Sequence, residues 1–249
     1  MLDPMVLVAL GGAGLLAGFV DAIAGGGGLI ALPALLAAGV PPVAALGTNK
    51  VQSVIGTGAA ALTYWRGGFV SLRALLVAIV ATFAAAFVGA SLIKQIDTSV
   101  LQVAVPIALV PIALYFLFAP ALSDKDKHSR LRFELFVPLM GLIVGFYDGI
   151  FGPGTGSFLT MGFVALFGLG VTRAAGNTKI LNLASNLGAL ALFIPSGDVV
   201  WAAAGAMAVG QLIGGYLGAR TGIRYGAKLI RPLVVVISLA LAIKLIFFR

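Results

Sequence analysis

The chain reads as an all-α polytopic membrane protein built of two five-segment repeats in inverted orientation, with glycine-broken half-helices in each. Three observations predict this. Of 249 residues, 61% are hydrophobic and only 10% charged, against about 45–50% and about 25% in soluble domains. Mean hydropathy is +1.13, and several stretches approach the roughly 20 apolar residues that cross a bilayer. The sequence also repeats itself: GFVDAIAGGG at 18–27 returns as GFYDGIFGPG at 145–154, and GTNKVQS at 47–53 returns as GNTKILN at 176–182.

Ten apolar segments follow in order. The first half has 5–23, 28–39, 43–65, 70–94 and 98–119, and the second 135–151, 156–168, 172–195, 199–222 and 228–248. The first and sixth each carry an aspartate, Asp21 or Asp148, near the inner end and stop at a glycine cluster. The second and seventh are short. About 12 apolar residues at 1.5 Å each give about 18 Å, well under the 30 Å hydrocarbon core. Glycine and proline precede both, at Gly25–Gly28 and at Gly152, Pro153, Gly154 and Gly156. Broken backbone at membrane depth survives only inside protein or along a cavity. Short interrupted segments in matching positions of two halves point to a solute site. The third and eighth carry Lys50 and Lys179 among polar neighbours. Tyr64, Trp65, Trp201 and the terminal Phe247 and Phe248 stand at segment ends, where aromatic residues anchor the membrane interface.

Residues 1–122 form the first repeat and 134–249 the second, with a hydrophilic cytoplasmic linker at 123–133 whose lone His128 is a surface residue. The formal charge of +8 sits mostly in short connections: Arg66 and Arg73, then Lys125, Lys127, Arg130 and Arg132, then Arg220, Arg224, Lys228 and Arg231. That is the positive-inside bias of a cell-membrane protein, and no soluble domain is present to bind nucleic acid. Counting the short segments as crossings gives each repeat an odd number, so the halves are inverted and these basic loops share one face. Eight full spans with re-entrant short segments is the alternative, and it splits the basic loops between faces. Cysteine is absent, which removes disulfide, thiol and iron–sulfur chemistry.

An aspartate at the bilayer centre costs at least about 2.5–3.5 kcal/mol, so Asp21 and Asp148 are expected either to titrate as coupling groups or to cap the half-helix that follows. Lys50 and Lys179 have hydroxyl and amide neighbours: Thr48, Asn49, Gln52 and Ser53 in one copy, Asn177, Thr178, Asn182, Ser185 and Asn186 in the other. Spacing of three and four stacks Lys179, Asn182 and Asn186 on one helix face, and likewise Asn49 and Ser53. A cation set among such donors suits an oxyanion. The structural alternative is that Lys50 pairs with Asp21 and Lys179 with Asp148, as two buried salt bridges. The half-helices add bare N–H groups and partial positive charge, and Gly26, Gly27, Gly28, Gly154, Thr155, Gly156 and Ser157 are the donors expected there. The scattered Gly56, Gly89, Gly214, Gly215 and Gly218 read as packing positions between helices.

These motifs, GFVDAIAGGGG followed by LPALLAAGVPPVAALGTNK, and GFYDGIFGPGTGSF followed by GVTRAAGNTK, resemble the TauE/SafE family of sulfite exporters, also called toluene sulfonate uptake permeases. The resemblance covers both repeats. It implies a carrier for sulfite, thiosulfate or a small organosulfonate, with no cofactor. A small anionic solute and membrane lipid are then the partners, with a homodimer left open. Gln52 aligns with Leu181 and Ser53 with Asn182, so the site is expected to be asymmetric. The competing readings are an anion channel and a membrane enzyme acting on a lipid phosphate. The enzyme would work with one glutamate, Glu134, and one histidine, a poor inventory for acid–base catalysis.

Overall fold

The computed structural model describes residues 2–93, 95, 124–126 and 131–226. The expected segments 98–119 and 228–248, with Lys94, Lys127, His128, Arg130, Lys228, Arg231, Phe247 and Phe248, lie outside them. All regular structure among the described residues is helical: α1 Pro4–Ala24, α2 Gly28–Ala37, α3 Pro42–Arg66, α4 Leu72–Ile93, α5 Phe133–Ile150, α6 Thr155–Phe167, α7 Val171–Phe193 and α8 Trp201–Tyr225.

Local chemistry sets these boundaries. Asp3 accepts from the Met5 N–H at 2.7 Å and Pro4 occupies the first turn, a sound helix start. Gly25 ends α1 in the left-handed conformation, φ 79°, where a side chain would be strained. Pro42 opens α3, and Gly168 closes α6 at φ 67°. Among the described residues the helices long and apolar enough to cross a membrane are α1, α4, α5 and α8, and the chain is a multi-pass membrane protein. α3 and α7 are as long but carry the lysines and amides, whose buried faces are sheathed by the other helices.

Glycine lets that sheath close tightly. A Cβ on Gly14 would come within 2.4 Å of the Met207 carbonyl, and one on Gly214 within 2.1 Å of the Leu15 carbonyl, so α1 and α8 touch backbone to backbone. Gly89 does the same against Phe146 and Gly149 against Ala86 between α4 and α5. Gly56 and Gly215 join α3 to α8, and Gly218 meets Phe19. The scattered glycines therefore sit at close helix contacts. Where no hydrophobic force separates helix from lipid, such close packing is the main source of association.

The same contacts set direction. In α1 and α8, residues 11 to 18 face 206 to 211 in rising order, and in α4 and α5, residues 78 to 90 face 141 to 149. In α3 and α7 the order falls: Gly47 meets Phe193, Gly58 meets Leu183 and Tyr64 meets Gly176. Thus α1, α3 and α8 run one way while α4, α5 and α7 run the other. The first helix of each half packs on the fourth of the other half, and α3 crosses α7 at the centre.

Candidate functional site

The two chain breaks meet each other. A Cβ on Gly25 would fall 2.2 Å from the Gly156 carbonyl carbon, and one on Gly28 would fall 3.1 Å from Pro153 Cα. Ser157 Oγ donates to the Ala24 carbonyl, tying the second break to the end of α1. Tyr147 closes its own break by donating to the Pro153 carbonyl at 2.6 Å.

Around this junction the four central charges pair across the halves. Lys50 Nζ lies 2.8 Å from Asp148 Oδ2 and donates to the Asp148 carbonyl at 2.6 Å. Lys179 Nζ lies 2.8 Å from Asp21 Oδ2 and also donates to the Asp21 carbonyl. This corrects the structural alternative drawn from sequence, which joined Lys50 to Asp21 and Lys179 to Asp148: buried pairs form, but with the partners exchanged. The reason is the packing order: α3 lies against the other half's helices, so each lysine reaches the opposite break. Both lysines are 1% exposed. The C-terminal carbonyl of a helix is a partial negative charge, so each ammonium is held by a carboxylate and a helix end together.

The carboxylates also hold the breaks, so capping and ion pairing coexist. Asp148 Oδ1 accepts from Thr155 Oγ1 at 2.7 Å, and Asp21 Oδ1 accepts from the Gly27 N–H at 3.4 Å. Asp148 is therefore the more firmly fixed of the two. Its side chain is 2% exposed, against 12% for Asp21.

A polar cavity of about 10 Å³ lies between the pairs, room for about one water. Asp21, Asp148, Asn49, Ser53, Asn182 and Asn186 line it, together with glycines of both breaks, Gly28 and Gly156 among them. Asn49 Oδ1 takes a bond from Gln52 Nε2 at 2.7 Å, and Asn182 Oδ1 takes one from Asn186 Nδ2 at 3.1 Å. The lining thus holds amides, one hydroxyl and two carboxylates, with an ammonium behind each carboxylate.

Several expected ligands stand elsewhere. Thr48 accepts from the Val200 N–H at 2.9 Å and fastens the start of α8. Thr178 is fully buried against Thr160, Oγ1 to Oγ1 at 3.1 Å. Asn177, Gly27, Thr155 and Ser157 are buried but do not line the cavity. A helical turn points only some of its polar residues at any one partner, and run-length in sequence does not say which. Sequence reasoning missed Gly25 and Gly152 as lining residues. For Gly152 the signal lay in the break itself: at φ 89° its missing Cβ would stand 3.0 Å from Lys50 Nζ. Arg173 pairs with Asp126 at 2.6 Å on the exposed start of α7. There the Gly170 N–H, and after it Arg173, hold the Asp126 carboxyl below its ordinary value.

The sulfite exporter TauE/SafE family model matches residues 10–245. The chain is 46% identical to a probable membrane transporter protein, ORF9, of Sinorhizobium sp. over 234 residues, covering 94% of this chain and 90% of that one. It is 42% identical to the probable membrane transporter protein of Haemophilus influenzae, covering 94% and 92%. It is also 42% identical to YfcA of Escherichia coli K12, covering 99% and 92%. No solved structure matches it. With both motif pairs lying within the matched region and relatives at this identity over nearly their full length, the chain belongs to the TauE/SafE family of membrane transporters.

Proposed function

We propose that the chain carries a small sulfur-containing anion, sulfite, thiosulfate or a small organosulfonate, by alternating access. One observation supports this above the rest: two buried lysine–aspartate pairs, each bridging the halves, flank a polar cavity where two broken helices meet. Burying ion pairs adds little to stability, since desolvation offsets attraction. An oxyanion would take the ammonium from its carboxylate, and the amides of Asn49, Asn182 and Asn186 would fix its orientation.

Each pair ties a helix of one half to the break of the other, so taking the ammonium loosens that tie. The halves can then move against each other around the site, as in carriers with inverted repeats. A carboxylate losing its cation in a dry site is costly unless it gains a proton. Asp21 and Asp148 are therefore the coupling groups, and Asp21, with the weaker second bond, is the first to release. The cavity is too small for the anion, so this conformation is the closed form, and binding requires the pairs to part.

The test is flux of labelled sulfite, thiosulfate and sulfoacetate into proteoliposomes. Transport of one of these, lost on Lys50→Met/Asp148→Asn and on Lys179→Met/Asp21→Asn in folded protein, is the expected result. Undiminished flux in both double variants overturns the assignment. Conductance far above carrier turnover would make the protein a channel instead.

A further inference from the structure

Away from the central site, the outer faces of α3 and α8 enclose an open groove of about 780 Å³. Leu62, Leu212, Ile213 and Leu217 form apolar walls, and Arg66 and Arg220 stand on its lining. Because Gly56 packs on Gly215 and Gly67 near Ile223, the two helices run parallel. Both arginines therefore stand at the same membrane face. From Gly58 to Arg66 the groove follows eight residue steps of α3, about 12 Å along the helix. That is most of the roughly 15 Å half-thickness of a hydrocarbon core, a length suited to part of one acyl chain.

The charged end is built to hold an anion. The Arg220 guanidinium sits 5.3 Å over the Tyr216 ring, which fixes it by cation–π attraction. Among the described residues neither Arg66 nor Arg220 has a carboxylate partner. Trp65, 47% exposed beside Arg66, marks the interfacial level where aromatic rings sit. Guanidinium groups bind phosphate oxygens through paired N–H donors.

We infer that this groove is a binding site for one anionic phospholipid, its phosphate held by Arg66 and Arg220 and an acyl chain laid against the leucine walls. A zwitterionic lipid is a poorer occupant because its own cation approaches the same guanidinium groups. The site does not depend on the solute carried at the centre.

The experiment uses the purified full chain in detergent, with phosphatidylglycerol, phosphatidylcholine and inorganic phosphate as separate probes. Native mass spectrometry counts bound lipid, and thermal unfolding reads stabilisation. Phosphatidylglycerol should bind at one per chain at least tenfold more tightly than phosphatidylcholine, and phosphate alone should not stabilise. Arg66→Gln/Arg220→Gln should erase that preference. Gly58→Leu should weaken binding with both arginines intact, because a Cβ there has space, its nearest neighbour being Leu183 Cδ1 at 3.9 Å. Equal binding of the two lipids to the unaltered chain overturns the inference, even if neither variant folds. So does undiminished phosphatidylglycerol binding in both variants, stabilisation by phosphate alone, or a concentration-dependent stability indifferent to headgroup, which would mark a second copy.

Discussion

Removing Lys179 isolates Asp21, and the cost can be worked from its surroundings. In Lys179→Met the Asp21 carboxylate keeps one donor, the Gly27 N–H at 3.4 Å, in a site 9% exposed. Breaking a buried pair by deleting one partner costs about 3–5 kcal/mol. The single variant should therefore be destabilised by about 4 kcal/mol at pH 7. Lys179→Met/Asp21→Asn leaves no stranded charge and should return to within about 1 kcal/mol of the parent. Trp65 and Trp201 report unfolding in detergent by fluorescence, and flux is measured on the same preparations. A single variant as stable as the double one at pH 7 refutes the pairing energetics. A double variant that transports at the parent rate refutes the role of the ammonium in binding.

Other outcomes follow from the same contacts. Gly14→Ala places a Cβ 2.4 Å from the Met207 carbonyl and should cost about 1–3 kcal/mol by forcing α1 from α8, read as a lower unfolding temperature. Gly152→Ala adds strain at φ 89° and crowds Lys50 Nζ, so flux should fall several-fold with stability lowered by about 1–3 kcal/mol. Asp126 has its carboxyl held down chiefly by the Gly170 N–H, so its contribution is present above the ordinary value of about 3.9 and lost as pH falls through the lower folded value. Exchange protection of the Gly170 amide should follow that curve, and Asp126→Asn should flatten it. Because this contact is half exposed, global stability should hardly move.

Hydropathy alone makes the chain a membrane protein, since no sphere of this size hides so much apolar surface. The helix limits were also legible, because aspartate, proline and glycine act within a turn: the expected 43–65 and 156–168 are observed as Pro42–Arg66 and Thr155–Phe167. Duplication of the aspartate and lysine motifs singled out Asp21, Lys50, Asp148 and Lys179, the four charges that pair at the junction of the breaks. What sequence could not reach was who pairs with whom. Lys50 follows Asp21 by 29 residues and Lys179 follows Asp148 by 31, and neither separation decides whether a lysine pairs within its own half or across. Only the crossing of α3 with α7, and the packing of each first helix on the other half's fourth, sends each lysine to the opposite break. The same holds for Thr48 and Thr178, which share their turns with the lysines yet face helices. Composition and local chemistry are carried by single residues, whereas pairing across the halves depends on contacts between backbones far apart in the chain.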